Sequence, residues 1–157
     1  IVNKEFATEL MDRVLSFHLK FYERYLEEVG EFIDIVQTAD DLGTQEGPFI
    51  SPKMYREMLK PREKQFMQSI KNKTEAKIWY HCDGAMSVFI DDLIDIGVDL
   101  LNPIQASAKG MDPLAIKKTY GNKLSFHGAI DQQRVLSKGT VDDVTAEVKL
   151  RISQLGP

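Results

Sequence analysis

One pattern constrains this chain more than any other. A short apolar run, a polar loop and an amphipathic helix follow one another four times in the same order. Each helix carries the chain back across the sheet, so consecutive strands must run parallel. The predicted strands are Phe32–Thr38, Ala76–His81, Val98–Leu101 and Lys123–His127. The helix starts are marked. Ser51-Pro52 and Asp112-Pro113 each set a capping side chain before a proline at the first helical position, where the missing N–H costs nothing. The first of these helices is expected to run to about Lys73, with a bend near Pro61. A helix over Ala85–Ile96 places Met86, Phe89, Ile90, Leu93 and Ile94 on one face and Asp91, Asp92 and Asp95 on the other, and Gly97 closes it. The Asp112 helix ends near Tyr120-Gly121, and Gly128 to Gly139 reads as a loop with one short turn. Thr140 to Asp143 resembles a capping box, ahead of a last helix carrying Val144, Val148, Ile152 and Leu155. Before all four units lies a longer helix, Val2 to Val29, capped by Gly30. Its row Phe6, Leu10, Val14, Phe17, Phe21 and Tyr25 recurs at steps of three and four and is expected to be core.

This order defines an α/β fold with a parallel sheet covered by helices, either a TIM barrel or a doubly wound sheet. No G-x-G-x-x-G and no P-loop is present, which weakens dinucleotide and nucleotide readings. Four β-α units cannot close a (β/α)8 barrel, which takes about 250 residues. On the barrel reading, residues 1–157 are one partial barrel domain with two raw sheet edges, and a homo-oligomer through those edges is expected. The chain opens on Ile1 and stops at Gly156-Pro157 just after a helical pattern, so a fragment is expected. With 20 Lys+Arg against 24 Asp+Glu, the net charge of -4 gives no global case for nucleic acid or an anionic membrane. No apolar run approaches the ~18 residues of a membrane span. The first ten residues mix Lys4, Glu5 and Glu9 with apolar ones, unlike a signal peptide. One cysteine excludes an internal disulfide and fits a reducing, cytoplasmic compartment.

In either fold the active site lies at the carboxyl ends of the strands. There the sequence places Asp40, Asp41 and Gln45, then His81, Cys82, Asp83 and Gly84, then Asn102 and Gln105, then His127 and Asp131. Strand alternation sets His81 and Asp83 on one side and Cys82 on the other, so His81 and Asp83 can aim at one metal or one substrate proton. Imidazole, thiolate and carboxylate are all zinc ligands, so His81, Asp83 and Cys82 are the candidate metal residues. Against this stand a strand-ending histidine bonded to a carbonyl and a buried, merely apolar Cys82. Asp40 and Asp41 could act as an acid/base pair or simply open a turn. His127 suits a general acid or a substrate donor, and Gln45, Gln105 and Asp131 suit neutral or ionic contacts to a cofactor. Asn102-Pro103 reads foremost as a turn. His18 reads as structural or exposed, and the charges from Lys60 to Lys73 as a solvated helix face.

Three stretches taken in order, ADDLGTQEGPFISPKMYREMLKP (Ala39–Pro61), WYHCDGAMSVFIDDLIDIGVDLLNPIQ (Trp79–Gln105) and LSFHGAIDQQRVLSKGTVDDV (Leu124–Val144), resemble the second half of the uroporphyrinogen decarboxylase superfamily. The resemblance implies a TIM barrel. It also implies one of two chemistries. One branch removes carboxyls from a porphyrinogen without a cofactor. The other passes a methyl group between a corrinoid and a thiol or related acceptor, with zinc held by a His-x-Cys pair and a later cysteine. DDLGTQ and HCDG lean toward the methyltransferase-like branch. His81 matches the zinc histidine, but Asp83 stands at the cysteine position, Cys82 lies one residue early, and the position of the later cysteine would lie beyond Pro157. The resemblance therefore leaves open a zinc site of His81 and Asp83 with a further residue, or none.

Three functions follow for test. In the first, the parent enzyme transfers methyl between methylcobalamin, free or carried by a corrinoid protein, and a thiol, with Asp41, Gln45, Gln105 and His127 lining the pocket. In the second it decarboxylates a tetrapyrrole without a cofactor, and Arg56 and Arg134 bind substrate carboxylates. In the third the 157 residues are an inactive half-barrel or binding module.

Overall fold

The computed structural model describes residues 2–157. Helix α1 (Lys4–Val29) opens with the Asn3 side chain accepting from the Phe6 N–H and ends at Gly30. Strand β1 (Ile35–Ala39) follows. Helix α2 (Pro52–Met54), capped by the Ser51 hydroxyl, runs through a π-helical turn (Tyr55–Leu59) into α3 (Lys60–Lys71). Strand β2 (Lys77–His81) leads through a 3-10 turn (Ser87–Phe89) to α4 (Ile90–Ile96). Then come β3 (Leu100–Asn102), α5 (Pro113–Tyr120), β4 (Ser125–Phe126), a second π-helical turn (Gln132–Leu136) and α6 (Val141–Leu155). The four strands pair in chain order and all in parallel. This is a partial TIM barrel, α/β as expected.

The boundary shifts have local causes. Pro61 lacks an N–H, and its ring crowds the carbonyl four residues back. The expected bend is instead a widened turn just before it, with the Lys60 N–H donating to the Tyr55 carbonyl. The third strand starts two residues later than expected and takes in Asn102, because the Cys82 N–H reaches the Asn102 carbonyl at 2.7 Å. The capping box at Thr140 and Asp143 is complete in both directions.

Strand alternation divides the sheet into two faces. Val36, Thr38, Ile78, Tyr80 and Leu101 face the helices and are buried. The apolar ones and Tyr80 pack with Tyr55, Met67, Ile70, Phe89, Ile90 and Leu93 into one core. Gln37, Ala39, Trp79, His81, Leu100 and Asn102 stand on the opposite, more open face.

Three expectations about the helices are corrected. The row from Phe6 to Tyr25 on α1 is exposed, Phe17 at 66%. The row one position over, with Met11, Leu15, His18, Tyr22 and Leu26, meets α3 and β1 instead, and Tyr22 packs edge-on to Phe66 at 4.8 Å. Asp92 is buried rather than solvated, because Lys60 (2.8 Å) and Arg56 (3.0 Å) converge on it. For the same reason the charges of α3 are not a free solvated face: Lys60 also reaches Asp95, and Arg62 reaches Asp12.

Candidate functional site

The site is built by two loops that lock together. Gly84 has φ +82, a conformation open to glycine at little cost, and a Cβ there would sit 2.6 Å from the Gly43 carbonyl. That close approach lets the Ala85 N–H donate to the Thr44 carbonyl at 2.7 Å. The DDLGTQ loop after β1 is thereby held against the HCDG turn after β2. Asp41 closes the joint by accepting from the Asp83 N–H at 2.9 Å. Gln105 adds a third element, its side-chain oxygen accepting from the Gly84 N–H at 2.7 Å.

Asp41, His81 and Asp83 converge there. The His81 Nε2 lies 3.9 Å from Asp41 Oδ1 and 3.7 Å from Asp83 Oδ2. One ligand atom from each of the three falls within 4.8 Å of the others. Both carboxylates are half exposed and the imidazole a third exposed, so the group opens to solvent. One nitrogen and two carboxylate oxygens are a donor set that could hold a divalent cation.

Across the open face runs a ladder at the last register level of the strands. Ala39 pairs with His81, and His81 with Asn102. The His127 N–H donates to the Leu101 carbonyl, which carries the register one step further. The side chains join sideways: His81 Nδ1 is 2.8 Å from Asn102 Oδ1, and Asn102 Nδ2 is 2.7 Å from His127 Nδ1. Trp79, one level below, tilts its ring against the His127 imidazole at 4.6 Å. Its indole N–H is buried and has no acceptor among the described residues.

Other residues singled out from the sequence lie apart from this group. Cys82 is fully buried on the other side of the strand, its sulfur accepting from the Leu42 N–H at 3.3 Å. Burial pushes its thiol up to about 12, so it is a poor thiolate ligand. Asp40 separates from Asp41 and lines a cavity of about 670 Å³ between α1, β1 and α3, together with Leu10, Val14, Phe66 and Glu63. Partial desolvation and then the neighbouring Asp41 raise the Asp40 carboxyl above its usual range. Glu63 is raised by burial, against the opposing hydrogen bonds that Tyr55 and Tyr80 donate to it. Gln45 is exposed on its loop. Asp131 caps the second π-helical turn, accepting from the Gln133 and Arg134 N–H groups at 2.9 and 3.0 Å. Arg56 is spent on Asp92.

The residue that sequence reasoning undervalued is Asn102. Its Pro neighbour argued for a turn, whereas its place opposite His81 in the parallel register was the signal that could have found it.

A parallel β-α sheet with its polar groups gathered at the carboxyl ends of the strands defines a partial barrel domain. The uroporphyrinogen decarboxylase (URO-D) family model matches residues 1–156, and the chain belongs to that family. No curated protein matches it. Among solved structures it is similar to a methyltransferase from Methanosarcina mazei, with a TM-score of 0.70 and 19% sequence identity over 98% of this chain and 42% of that one. The chain thus spans less than half the length of that protein. No described helix is long and apolar enough to cross a membrane.

Proposed function

We propose that the parent enzyme transfers a methyl group between a corrinoid, methylcobalamin or its protein-bound form, and a thiol or similar acceptor. The observation that carries this reading is the convergence of Asp41, His81 and Asp83 at the carboxyl end of β2. The similarity to a methyltransferase supports it. Asp41, His81 and Asp83 would hold a divalent cation such as zinc. Such a cation, when bound, supplies the Lewis acidity that keeps an acceptor thiol deprotonated near neutral pH. The chain's own residues do the remaining work. The two carboxylates give the site negative charge, and the Asp83 N–H holds Asp41 in place. Gln105 fixes the HCDG turn through Gly84. Trp79 and His127 offer a flat surface and a polar edge beside the three ligands. Asp83 in place of a cysteine makes the donor set harder than a thiolate site, so manganese or iron competes with zinc.

The test is metal content per chain of the full-length protein, with a His81→Ala control, alongside methyl transfer from methylcobalamin to a panel of thiols. About one metal per chain, lost in His81→Ala together with methyl transfer, is the expected result. A metal-free wild type that transfers no methyl but releases carbon dioxide from uroporphyrinogen would replace this reading with cofactor-free decarboxylation.

A further inference from the structure

Asn102 stands between two histidines and touches both through one amide. The amide nitrogen lies 3.2 Å from the His127 backbone carbonyl, which can only accept. An amide oxygen in that place would face another oxygen, so the NH2 group must point to His127 and the oxygen to His81. Two tautomers follow. The Asn102 oxygen only accepts, so His81 Nδ1 must carry a proton to bridge the 2.8 Å between them. The Asn102 NH2 only donates, so His127 Nδ1 must be bare to receive it at 2.7 Å. In the neutral rings the remaining nitrogens are then opposite in kind. His81 turns a lone pair toward Asp41 and Asp83, and His127 carries a proton on Nε2.

We infer that Asn102 is the positioning residue of the site, holding His81 as a ligand nitrogen and His127 as a hydrogen-bond donor to the substrate. His127 is exposed, its Nε2 has no partner among the described residues, and the Trp79 ring holds the imidazole from the side. The group it suits is therefore an acceptor oxygen, carbonyl or carboxylate, on a molecule lying over Trp79. A single asparagine thus makes two chemically identical rings do different work, the supporting role that partners of metal-bound histidines commonly fill.

The inference concerns the site named in the proposed function, but tautomers are read without turnover, so failure of methyl transfer and failure of this inference are separate results. The experiment is long-range 1H–15N NMR of the full-length, chelator-treated protein near pH 8, above the ordinary histidine range. His81→Ala and His127→Ala variants assign the rings. The expected spectrum has a proton on Nδ1 of His81 and none on Nδ1 of His127. Asn102→Asp supplies the second reading. A carboxylate cannot donate, so His127 should shift its proton from Nε2 to Nδ1 while His81 keeps its own. A wild-type His127 protonated on Nδ1, a His81 bare at Nδ1, or a His127 unchanged in Asn102→Asp would each overturn the inference. If Asn102→Asp does not fold, the wild-type spectrum alone decides.

Discussion

The two faces of the sheet are made by the same strands and behave as different materials. On the helix side, Ile78 and Tyr80 of β2 are fully buried, and the polar groups present are tied into closed bonds, Glu63 accepting from both Tyr55 and Tyr80. On the open side of the same strand, Trp79 and His81 are only partly buried, and their neighbours Asn102 and His127 form a ladder that ends at the His127 Nε2, which has no partner among the described residues. Side chains one residue apart therefore serve stability or chemistry according to the direction they point. The comparison teaches that the polar groups worth testing for function are those whose bonding is incomplete.

The sharpest way to break this comparison is to delete one ring from each side of the sheet. Phe89 is fully buried beside Tyr55, their rings 4.9 Å apart. Phe89→Ala should cost about 3–5 kcal/mol of unfolding free energy, the usual loss for a large aromatic in a core. His81→Ala on the open face should cost about 1 kcal/mol, the usual worth of the one hydrogen bond it makes to Asn102, while abolishing metal binding. Urea unfolding of both variants decides the matter, and equal losses would mean that the open face is structural too.

Gly84→Ala tests the joint between the two loops that carry the open face's carboxylates. The new Cβ would be strained at φ +82 and would collide with the Gly43 carbonyl. A loss of about 1–3 kcal/mol is expected from the strained backbone alone. Because the DDLGTQ loop would be pushed from the HCDG turn, metal affinity should fall with it, a coupling that isothermal titration with the metal reads directly. Unchanged affinity would show that Asp41 does not depend on this packing.

Glu63 allows a pH test confined to the helix side. Its carboxyl is raised in the folded state, chiefly by burial. A raised acid binds more protons folded than unfolded, so its contribution is full below the unfolded value and is lost as pH rises through the folded one. Denaturation of the wild type between about pH 4 and 7 should therefore lose stability relative to Glu63→Gln, which cannot ionise. A wild type that gains on the variant over this range would contradict the burial argument.

Much of the fold was legible because its signals are local. Ser51-Pro52, Asp112-Pro113 and Thr140 with Asp143 mark helix starts within a few residues, and each cap is present. What could not be read depended on neighbours distant in sequence. Asp92 looks like a surface acid until α3 and the π-helical turn before it bring Lys60 and Arg56 over it, 32 and 36 residues away. On α1 two adjacent apolar rows have the same period, so periodicity alone does not tell which of them meets α3. At the site, His81 and Asp83 shared a predicted side because alternation is local. Asp41 joins them only through a bond across 42 residues, and Asn102 only through the register of β2 with β3.

Cys82 gives the smallest effect and the finest cut, since it sits between two residues of the candidate metal group and points away from both. Its sulfur accepts from Leu42 and it is fully buried. Burial raises the thiol to about 12, so near neutral pH it is protonated and a poor nucleophile. Alkylation by iodoacetamide should be far slower in the native protein than in urea. Cys82→Ala removes one weak acceptor and little volume, with an expected cost of about 1 kcal/mol and no change in metal stoichiometry. A variant that loses its metal would move the thiol into the donor set and turn the end of β2 around. An unchanged stoichiometry with native resistance to alkylation would leave the nitrogen of His81 and the two carboxylates as the contribution of these residues, and would confine Cys82 to the packing of the loop that carries Asp41.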